Sequence, residues 1–167
     1  MRKTSLLYAA GVSVFLCSDL AGAQIIANTG GSGPRIGTAA VVSASPIIDG
    51  KLDDDAWKSG QAYTDFVQRE LREGAPVTER TEVRLLTDGE ALYVGAWLFD
   101  RDPSGIVFGE KIRDVTLSNS DYFAFILDTY LDRQNGFVFA TTPAGIEYDG
   151  QVVKEGEGGG VFQSGQT

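Results

Sequence analysis

The stretch TEVRLLTDGEALYVGAWLFD (Thr81–Asp100) decides the fold class. Asp88-Gly89 stands between two apolar runs, and this pairing is the strongest short-range signal for a β-hairpin. The stretch SDYFAFILDTYLDRQNGFVFATTP (Ser120–Pro143) repeats the pattern, with Asn135-Gly136 as a second predicted turn, and IEYDGQV (Ile146–Val152) adds a last strand. Linked hairpins rich in aromatic and branched residues predict an all-β fold, an antiparallel sandwich of the jelly-roll type.

Within the first hairpin, the strands Glu82–Thr87 and Ala91–Phe99 are expected to pair. Alternation places Tyr93 and Trp97 on one face of the second strand and aliphatic residues on the other. Because both faces are apolar, this strand is either central in a sheet or lines a groove. Upstream, LDDDAW predicts one helical turn capped by Asp53, with Trp57 packed inward.

The first 23 residues have the pattern of a secretory signal peptide. Arg2 and Lys3 form the positive region, Leu6–Cys17 is apolar, and Ala21–Ala23 fits the small-residue rule for cleavage before Gln24. An apolar stretch of 12 residues is too short to span a membrane as a helix, so membrane insertion is not expected. The protein is therefore expected to be exported and to work in the periplasm, at the cell surface or at the outer membrane.

The composition predicts that the chain is divided into four segments. Residues 1–23 are the signal peptide, 24–44 a flexible linker rich in Gly, Ser and Thr, 45–153 the sandwich, and 154–167 a Gly-rich tail. A sandwich normally closes with strands that cover its first sheet. The last strand expected here is followed by the Gly-rich tail, so the sandwich is expected to be incomplete, with its closing region elsewhere in the same polypeptide.

Composition excludes several function classes. The chain has 14 basic and 23 acidic residues, and removal of residues 1–23 leaves 12 and 22, a net charge of −10. Nucleic acids and anionic membranes demand a basic face, so neither is an expected partner. The chain has no His, and its one Cys lies in the signal peptide, which excludes His-dependent nucleophilic catalysis, imidazole-bound zinc and disulfides in the exported part.

The ordered motifs resemble a family 9 carbohydrate-binding module, in particular the N-terminal module of large exported bacterial proteins associated with the outer membrane. The resemblance covers Ile48 to about Val153 and is carried by these pieces: IDGKLDDDAW (Ile48–Trp57), ERTEVRLLTDGEALYVGAWLFD (Glu79–Asp100), RD (Arg113–Asp114), SDYFAFILDTYLD (Ser120–Asp132) and FVFATTPAGIEYDG (Phe137–Gly150). It implies a sandwich that binds a polysaccharide or oligosaccharide of xylan or cellulose type, often with calcium, and does no chemistry itself.

Sugar binding needs an aromatic platform with polar groups at its rim. The candidates are Trp97 and Tyr93, four residues apart on one strand face, together with Tyr122, Arg84 and Arg113. The alternative is that Trp97 is a core residue packed with Phe99, Phe123 and Phe125. The resemblance implies a Trp shortly before Asp121 and an Arg on the strand after the next loop, and this chain has Leu117–Ser120 and Val138–Ala140 there.

Calcium prefers clustered carboxylate and carbonyl oxygens. Asp128, Asp132 and Asn135 lie on one predicted hairpin loop, and Asp149 follows a strand, so these four are the candidate ligands. The alternative is that these residues make hydrogen bonds within turns.

The sequence leaves two functions open. The first is a non-catalytic glycan-binding module whose relatives are often joined to glycoside hydrolases. The second is a structural or interaction sandwich of an outer-membrane-associated protein that binds no sugar. An enzyme is not expected, because the chain has no His and no obvious buried Glu and the fold is fragmentary. A carboxylate pair at glycosidase spacing is no evidence for an enzyme, since such a pair arises by chance among 22 acidic residues.

If the sandwich is incomplete, the chain of 167 residues should unfold in urea with a small m-value or with no cooperative transition. Urea unfolding followed by circular dichroism should then give a small m-value, because little surface is exposed on unfolding. A sharp two-state transition of ordinary amplitude would contradict the expectation.

Overall fold

The computed structural model describes residues 4–8, 24–27, 35–69, 72–113, 117–153 and 163–164. Strands dominate these residues, which confirms the predicted all-β class. The helix is α1 (Asp55–Ser59), and the strands are β1 (Thr4–Tyr8), β2 (Gln24–Ala27), β3 (Arg35–Thr38), β4 (Ala40–Val41), β5 (Thr81–Thr87), β6 (Leu92–Leu98), β7 (Phe123–Leu127), β8 (Gly136–Thr141), β9 (Glu147–Val152) and β10 (Gln163–Ser164). Short 3-10 helices lie at Pro103–Gly105 and Leu117–Asn119.

The chain divides into two compact units, Met1–Pro103 and Ser104–Thr167. The first unit holds a sheet of order β1-β6-β5-β4, in which β4 is parallel to β5 and the other pairs are antiparallel, and the two-stranded sheet β2-β3. The second unit holds an antiparallel sheet of order β10-β9-β8-β7. The packing of the sheets into a sandwich stays a prediction.

The predicted leader, linker and tail contain described strands. β1 lies in the predicted signal peptide and pairs with β6, while residues 1–3 and 9–23 lie outside the described part. β2, β3 and β4 lie in the predicted linker, and Tyr63 holds the end of β3, because its hydroxyl donates to the Thr38 carbonyl at 2.8 Å and accepts from the Thr38 N–H at 2.7 Å. β10 lies in the predicted tail, of which residues 154–162 and 165–167 are not described.

The Asp88-Gly89 hairpin is confirmed. Thr87 pairs with Leu92 across a four-residue connection, and Gly89 takes the left-handed conformation that the turn needs, with φ of 92°. The Asp88 carboxylate fixes the connection by accepting the backbone N–H groups of Glu90 at 3.0 Å and Ala91 at 2.9 Å. This turn joins β5 and β6, the two longest strands of the first sheet.

The predicted Asn135-Gly136 turn is wrong. Gly136 is the first residue of β8, and a Cβ there would lie 2.8 Å from Ile126 and 3.0 Å from the Leu127 carbonyl. The connection is the predicted hairpin loop that carries Asp128, Asp132 and Asn135, here residues 128–135, in which Leu131 and Arg133 take left-handed φ values of 55° and 58°. Side-chain hydrogen bonds hold this loop, so its conformation does not depend on a glycine.

Helix α1 places Trp57 in the core of the first unit. The predicted cap at Asp53 is wrong, because the helix begins at Asp55 after Asp54, whose carboxylate accepts the Ile47 N–H instead of a helix N–H. Trp57 is 1 % exposed and packs with Val42, Leu52 and Leu86, which confirms that it points inward. No helix in the described ranges is long and apolar enough to cross a membrane.

The second unit has its own buried cluster. Val138 and Ala140 of β8 and Tyr148 of β9 are buried on one face of the sheet, together with Leu117. Ala124 of β7 and Val152 of β9 pack against this cluster. Alternation then places the odd-numbered residues of β7, β8 and β9 on the opposite face.

Gly95→Ala should destabilise the protein, because a Cβ at Gly95 would lie 2.7 Å from Cζ3 of the Trp57 ring. Overpacking of this kind costs about 1–3 kcal/mol, measured as a lower midpoint of urea or thermal unfolding. Gly105→Ala is the matched control, since a Cβ there meets nothing within 4 Å. Equal midpoints for the two variants would contradict the contact.

Candidate functional site

The predicted sugar-binding face of β6 lies against α1. Gly95 is in contact with the Trp57 ring, and Trp97 meets that ring edge to face, with ring centroids 6.5 Å apart and planes at 85°. Tyr93 and Trp97 are half-buried and pack against the cluster around Trp57. We call this surface the tryptophan face: Trp57, Tyr93, Gly95 and Trp97.

Arg84 joins the tryptophan face to the helix. Its guanidinium donates to the Trp57 carbonyl at 2.7 Å and makes two bonds to Oε1 of Glu82, at 2.8 and 3.0 Å. The guanidinium also lies 5.4 Å from the centroid of the Trp97 ring. A cation is electrostatically favourable at a carbonyl near the C-terminus of a helix. Glu82 is buried, and its carboxylate is paired with the Arg84 guanidinium. Arg84 is therefore held by contacts within its own unit.

The Tyr93 hydroxyl is also engaged. It donates to Oδ2 of Asp88 at 2.6 Å, and the Ser45 hydroxyl donates to the same oxygen at 2.6 Å. These bonds hold the pKa of Asp88 well below its usual range. The bond from Ser45 has the largest effect, followed by those from Tyr93 and from the amides of Ala91 and Glu90. The bond to Asp88 raises the pKa of Tyr93.

Three of the five sugar candidates thus come together on the tryptophan face. Tyr93, Trp97 and Arg84 share one side of β5 and β6, where each contacts neighbours in its own unit. Trp97 is packed in a cluster, as the core alternative expects, but its described aromatic neighbour is Trp57. Phe99 instead lies under the guanidinium of Arg80, 4.7 Å from its ring centroid.

The second unit carries an aromatic strip along two strands. Phe125 of β7 is directly opposite Phe139 of β8, and Leu127 is opposite Phe137. The rings of Phe125 and Phe139 are stacked, with centroids 5.5 Å apart and planes at 28°, and Phe123 lies 6.3 Å from Phe125. All five side chains are half-buried. We call this strip the phenylalanine face: Phe123, Phe125, Leu127, Phe137 and Phe139.

A polar row runs beside the phenylalanine face on β9. Its members are Glu147, Asp149 and Gln151, which are exposed; Asp149 is paired with Phe139 and Gln151 with Phe137. The guanidinium of Arg113 donates to Oδ1 of Asp149 at 2.7 Å and to Oε2 of Glu147 at 3.2 Å. The second unit thus combines an apolar strip with adjacent charged and amide groups, the composition that a sugar-binding surface needs.

The sequence predicts Arg113 at the rim of a platform formed by Trp97 and Tyr93, whereas the structure pairs Arg113 with Glu147 and Asp149. Phe123 and Phe125 are predicted only as core partners of Trp97 in the alternative interpretation, and Phe137 and Phe139 are not among the predicted site residues. The alternating pattern F-x-F in both strands is the signal that was available, because it places the rings on one face of the hairpin. Tyr122, the remaining sugar candidate, precedes β7 and is 43 % exposed.

Three of the four calcium candidates lie together in the loop 128–135, but the two carboxylates accept N–H groups of the loop and Asn135 donates to one of them. Asp128 accepts the backbone N–H groups of Asp132 and Arg133, and Asp132 accepts those of Gln134 and Asn135 and the Asn135 side-chain amide. The amide of Asn135 and these backbone groups lower the pKa of Asp132. This agrees with the alternative of turn-forming side chains.

The fourth calcium candidate, Asp149, is paired with Arg113 on β9. Across the described ranges, no three Asp or Glu side chains are gathered as ligands for a metal ion. The four candidates as arranged here do not fit a calcium site, and calcium binding stays a prediction. Asp114, part of the quoted resemblance, lies outside the described residues.

Comparison with known proteins gives no match. No protein-family model matches the chain, and no curated protein or solved structure matches it either. The resemblance to a family 9 carbohydrate-binding module therefore stays a prediction from the motifs.

The hydrogen bonds to Asp88 predict a pH-dependent stability. Because its pKa is lower in the folded than in the unfolded chain, Asp88 stabilises the fold above its unfolded pKa of about 3.9, and this contribution is lost as the pH falls below that value. Asp88→Asn should be less stable than wild type near pH 7, and the difference should shrink toward about pH 2.5. Unfolding midpoints across this pH range measure both effects.

Asp53→Asn is the control for the Asp88 variant, because it removes one exposed carboxylate from the same unit. Its midpoint should stay close to that of wild type at neutral pH. A difference between Asp88→Asn and wild type that does not change with pH would contradict the assignment.

Proposed function

We propose that this protein is a non-catalytic carbohydrate-binding module that is exported by its first 23 residues and binds a xylan- or cellulose-type glycan. The observation that carries the proposal is the phenylalanine face with its polar row. Pyranose rings present C–H groups that pack on aromatic surfaces and hydroxyl groups that need charged or amide partners. Phe139 and Asp149 are directly paired across β8 and β9, so both kinds of group adjoin.

The platform expected from the sequence, Trp97 and Tyr93, lies on the first sheet, whereas the platform proposed here, the phenylalanine face, lies on the second. Trp97 and Tyr93 pack with Trp57, and a sugar that stacked on them would have to displace α1 or share the half-buried rings with it. Arg113 stays in the proposed site, because it lies at the polar row. Tyr122 directly precedes Phe123 in sequence and does not share the odd-numbered alternation of the phenylalanine face, so its part in sugar binding stays a prediction.

The second candidate function is a structural or interaction sandwich of an outer-membrane-associated protein. The observation that favours it is the set of mutual contacts on the tryptophan face, where Arg84 bonds to Glu82 and the Trp57 carbonyl. A face built this way stabilises its own unit and needs no ligand. The partner in this case would be another region of the same polypeptide.

Isothermal titration against xylan, cellulose and their oligosaccharides tests the proposal. Wild type should bind, and Phe139→Ala should lower the affinity about tenfold or more, because it removes a ring from the centre of the strip. Arg113→Gln should also weaken binding; Arg113 is exposed, so this variant keeps the fold.

Tyr130→Ala is the matched control for the loss of an aromatic ring. Tyr130 lies in the loop of the same hairpin, is 70 % exposed and stands outside the phenylalanine face. The Tyr130→Ala variant should bind each glycan with the same affinity as wild type. Absence of binding to every glycan, with the fold verified by circular dichroism, would contradict the proposal and favour the interaction domain.

A further inference from the structure

β1 occupies one edge of the first sheet. It pairs antiparallel with β6 over its five residues, from Thr4 opposite Leu98 to Tyr8 opposite Val94. The other side of β6 pairs with β5 along its whole length. β1 therefore makes β6 an interior strand, and without β1 the sheet would have the order β6-β5-β4, with β6 at its edge.

The export proposed above would remove β1. The predicted cleavage site before Gln24 lies on the C-terminal side of Tyr8, so cleavage there takes away the whole of β1. The backbone of Val94–Leu98 then loses the strand that pairs with it on one side. The N–H and C=O groups on that side need a new partner, either water or another strand.

β6 has the character of an interior strand rather than of a sheet edge. Its seven residues are LYVGAWL, with no charged side chain and no Pro. Natural edge strands are usually protected from pairing with other chains by charged side chains, by Pro or by bulges. β5 and β6, which are both described in full, pair in an unbroken register without a bulge. Once β1 is removed, β6 would therefore be an unprotected edge.

The sequence of β6 is complementary to itself. The segment that β1 covers, Val94–Leu98, is centred on Ala96. A two-fold axis at Ala96 would place Gly95 of each copy opposite Trp97 of the other. An aromatic side chain opposite a glycine is a favourable cross-strand pair, because the ring covers backbone that the glycine leaves bare. The symmetric arrangement contains this pair twice.

We propose that removal of residues 1–23 opens the edge of β6 to a second copy of this chain, whose β6 pairs with it antiparallel about Ala96. This inference rests on the proposed export and does not depend on glycan binding. In the full chain β1 is tethered to the same molecule, which gives it an effective concentration of about a millimolar at the edge. β1 therefore keeps the uncleaved chain monomeric, and dimerisation is coupled to export.

The experiment compares the exported protein with the full chain by sedimentation velocity. The exported protein is purified after secretion and its N-terminus is checked by mass spectrometry, while the full chain is produced without export. At about 100 μM, tenfold below the effective concentration of β1, the exported protein should have about twice the mass of a monomer and the full chain should be monomeric. A synthetic peptide of residues 2–9 should return the exported protein to the monomer, whereas a scrambled peptide should not.

Prolines in β1 test the same edge without cleavage. N–H groups alternate between the two sides of an antiparallel strand, so Leu6→Pro combined with Leu7→Pro removes one donor that faces β6. This double variant of the full chain should dimerise. The matched control, Leu6→Val combined with Leu7→Val, keeps both N–H groups and should stay monomeric. The exported protein needs no variant and tests the inference even if the proline variant does not fold.

The outcomes separate the inference from the proposed function. A monomeric exported protein overturns the inference; if that monomer still binds the peptide of residues 2–9, the open edge belongs to a strand of a different protein. Retention of residues 1–23 in the exported protein overturns the predicted cleavage, and the inference with it. Dimerisation that the peptide reverses supports the inference, whether or not the protein binds a glycan.

Discussion

The contact between Trp57 and Gly95 determines how the first unit is built. Gly95 lets the indole approach the backbone of β6 so closely that a Cβ would lie 2.7 Å from the ring. The buried indole then organises Val42, Leu52 and Leu86 around it, and Arg84 fixes the end of α1 through the Trp57 carbonyl. Burial of one large aromatic side chain contributes about 3 kcal/mol, a sizeable part of the stability of a small unit.

This contact also bears on Trp97 as a predicted sugar platform. The ring of Trp97 meets the ring of Trp57 edge to face and has the Arg84 guanidinium nearby, so a sugar on Trp97 would share the ring with these groups. The apolar pattern on both faces of β6 has two explanations, a groove or a covered strand. Trp57 of helix α1 packs against the face that carries Tyr93 and Trp97, so this face of β6 is covered and does not line a groove.

Sequence patterns predict β5, β6 and β9 to within one residue at each end, because alternation and the Asp88-Gly89 turn are local properties. β1 to β4 and β10 lie in segments that composition predicts to be leader, linker and tail. The failures involve contacts between distant segments or side-chain bonds. The left-handed Leu131 depends on hydrogen bonds to Asp128 and Asp132, and the partner of Trp97 is 40 residues away in sequence. The pairing of Phe125 with Phe139 depends on the register of β7 and β8, which the sequence does not fix across the long loop 128–135.

The charge of the polar row bears on the kind of ligand. Arg113 is bonded to two carboxylates, so the three side chains together carry one negative charge. Residues 24–167 are themselves acidic, with 12 basic and 22 acidic residues. An anionic polysaccharide would be repelled by this surface, while a neutral one meets hydrogen-bonding groups without a net electrostatic penalty. For the proposed glycan-binding function, the electrostatics therefore favour neutral glycans such as xylan or cellulose over uronic acid polymers.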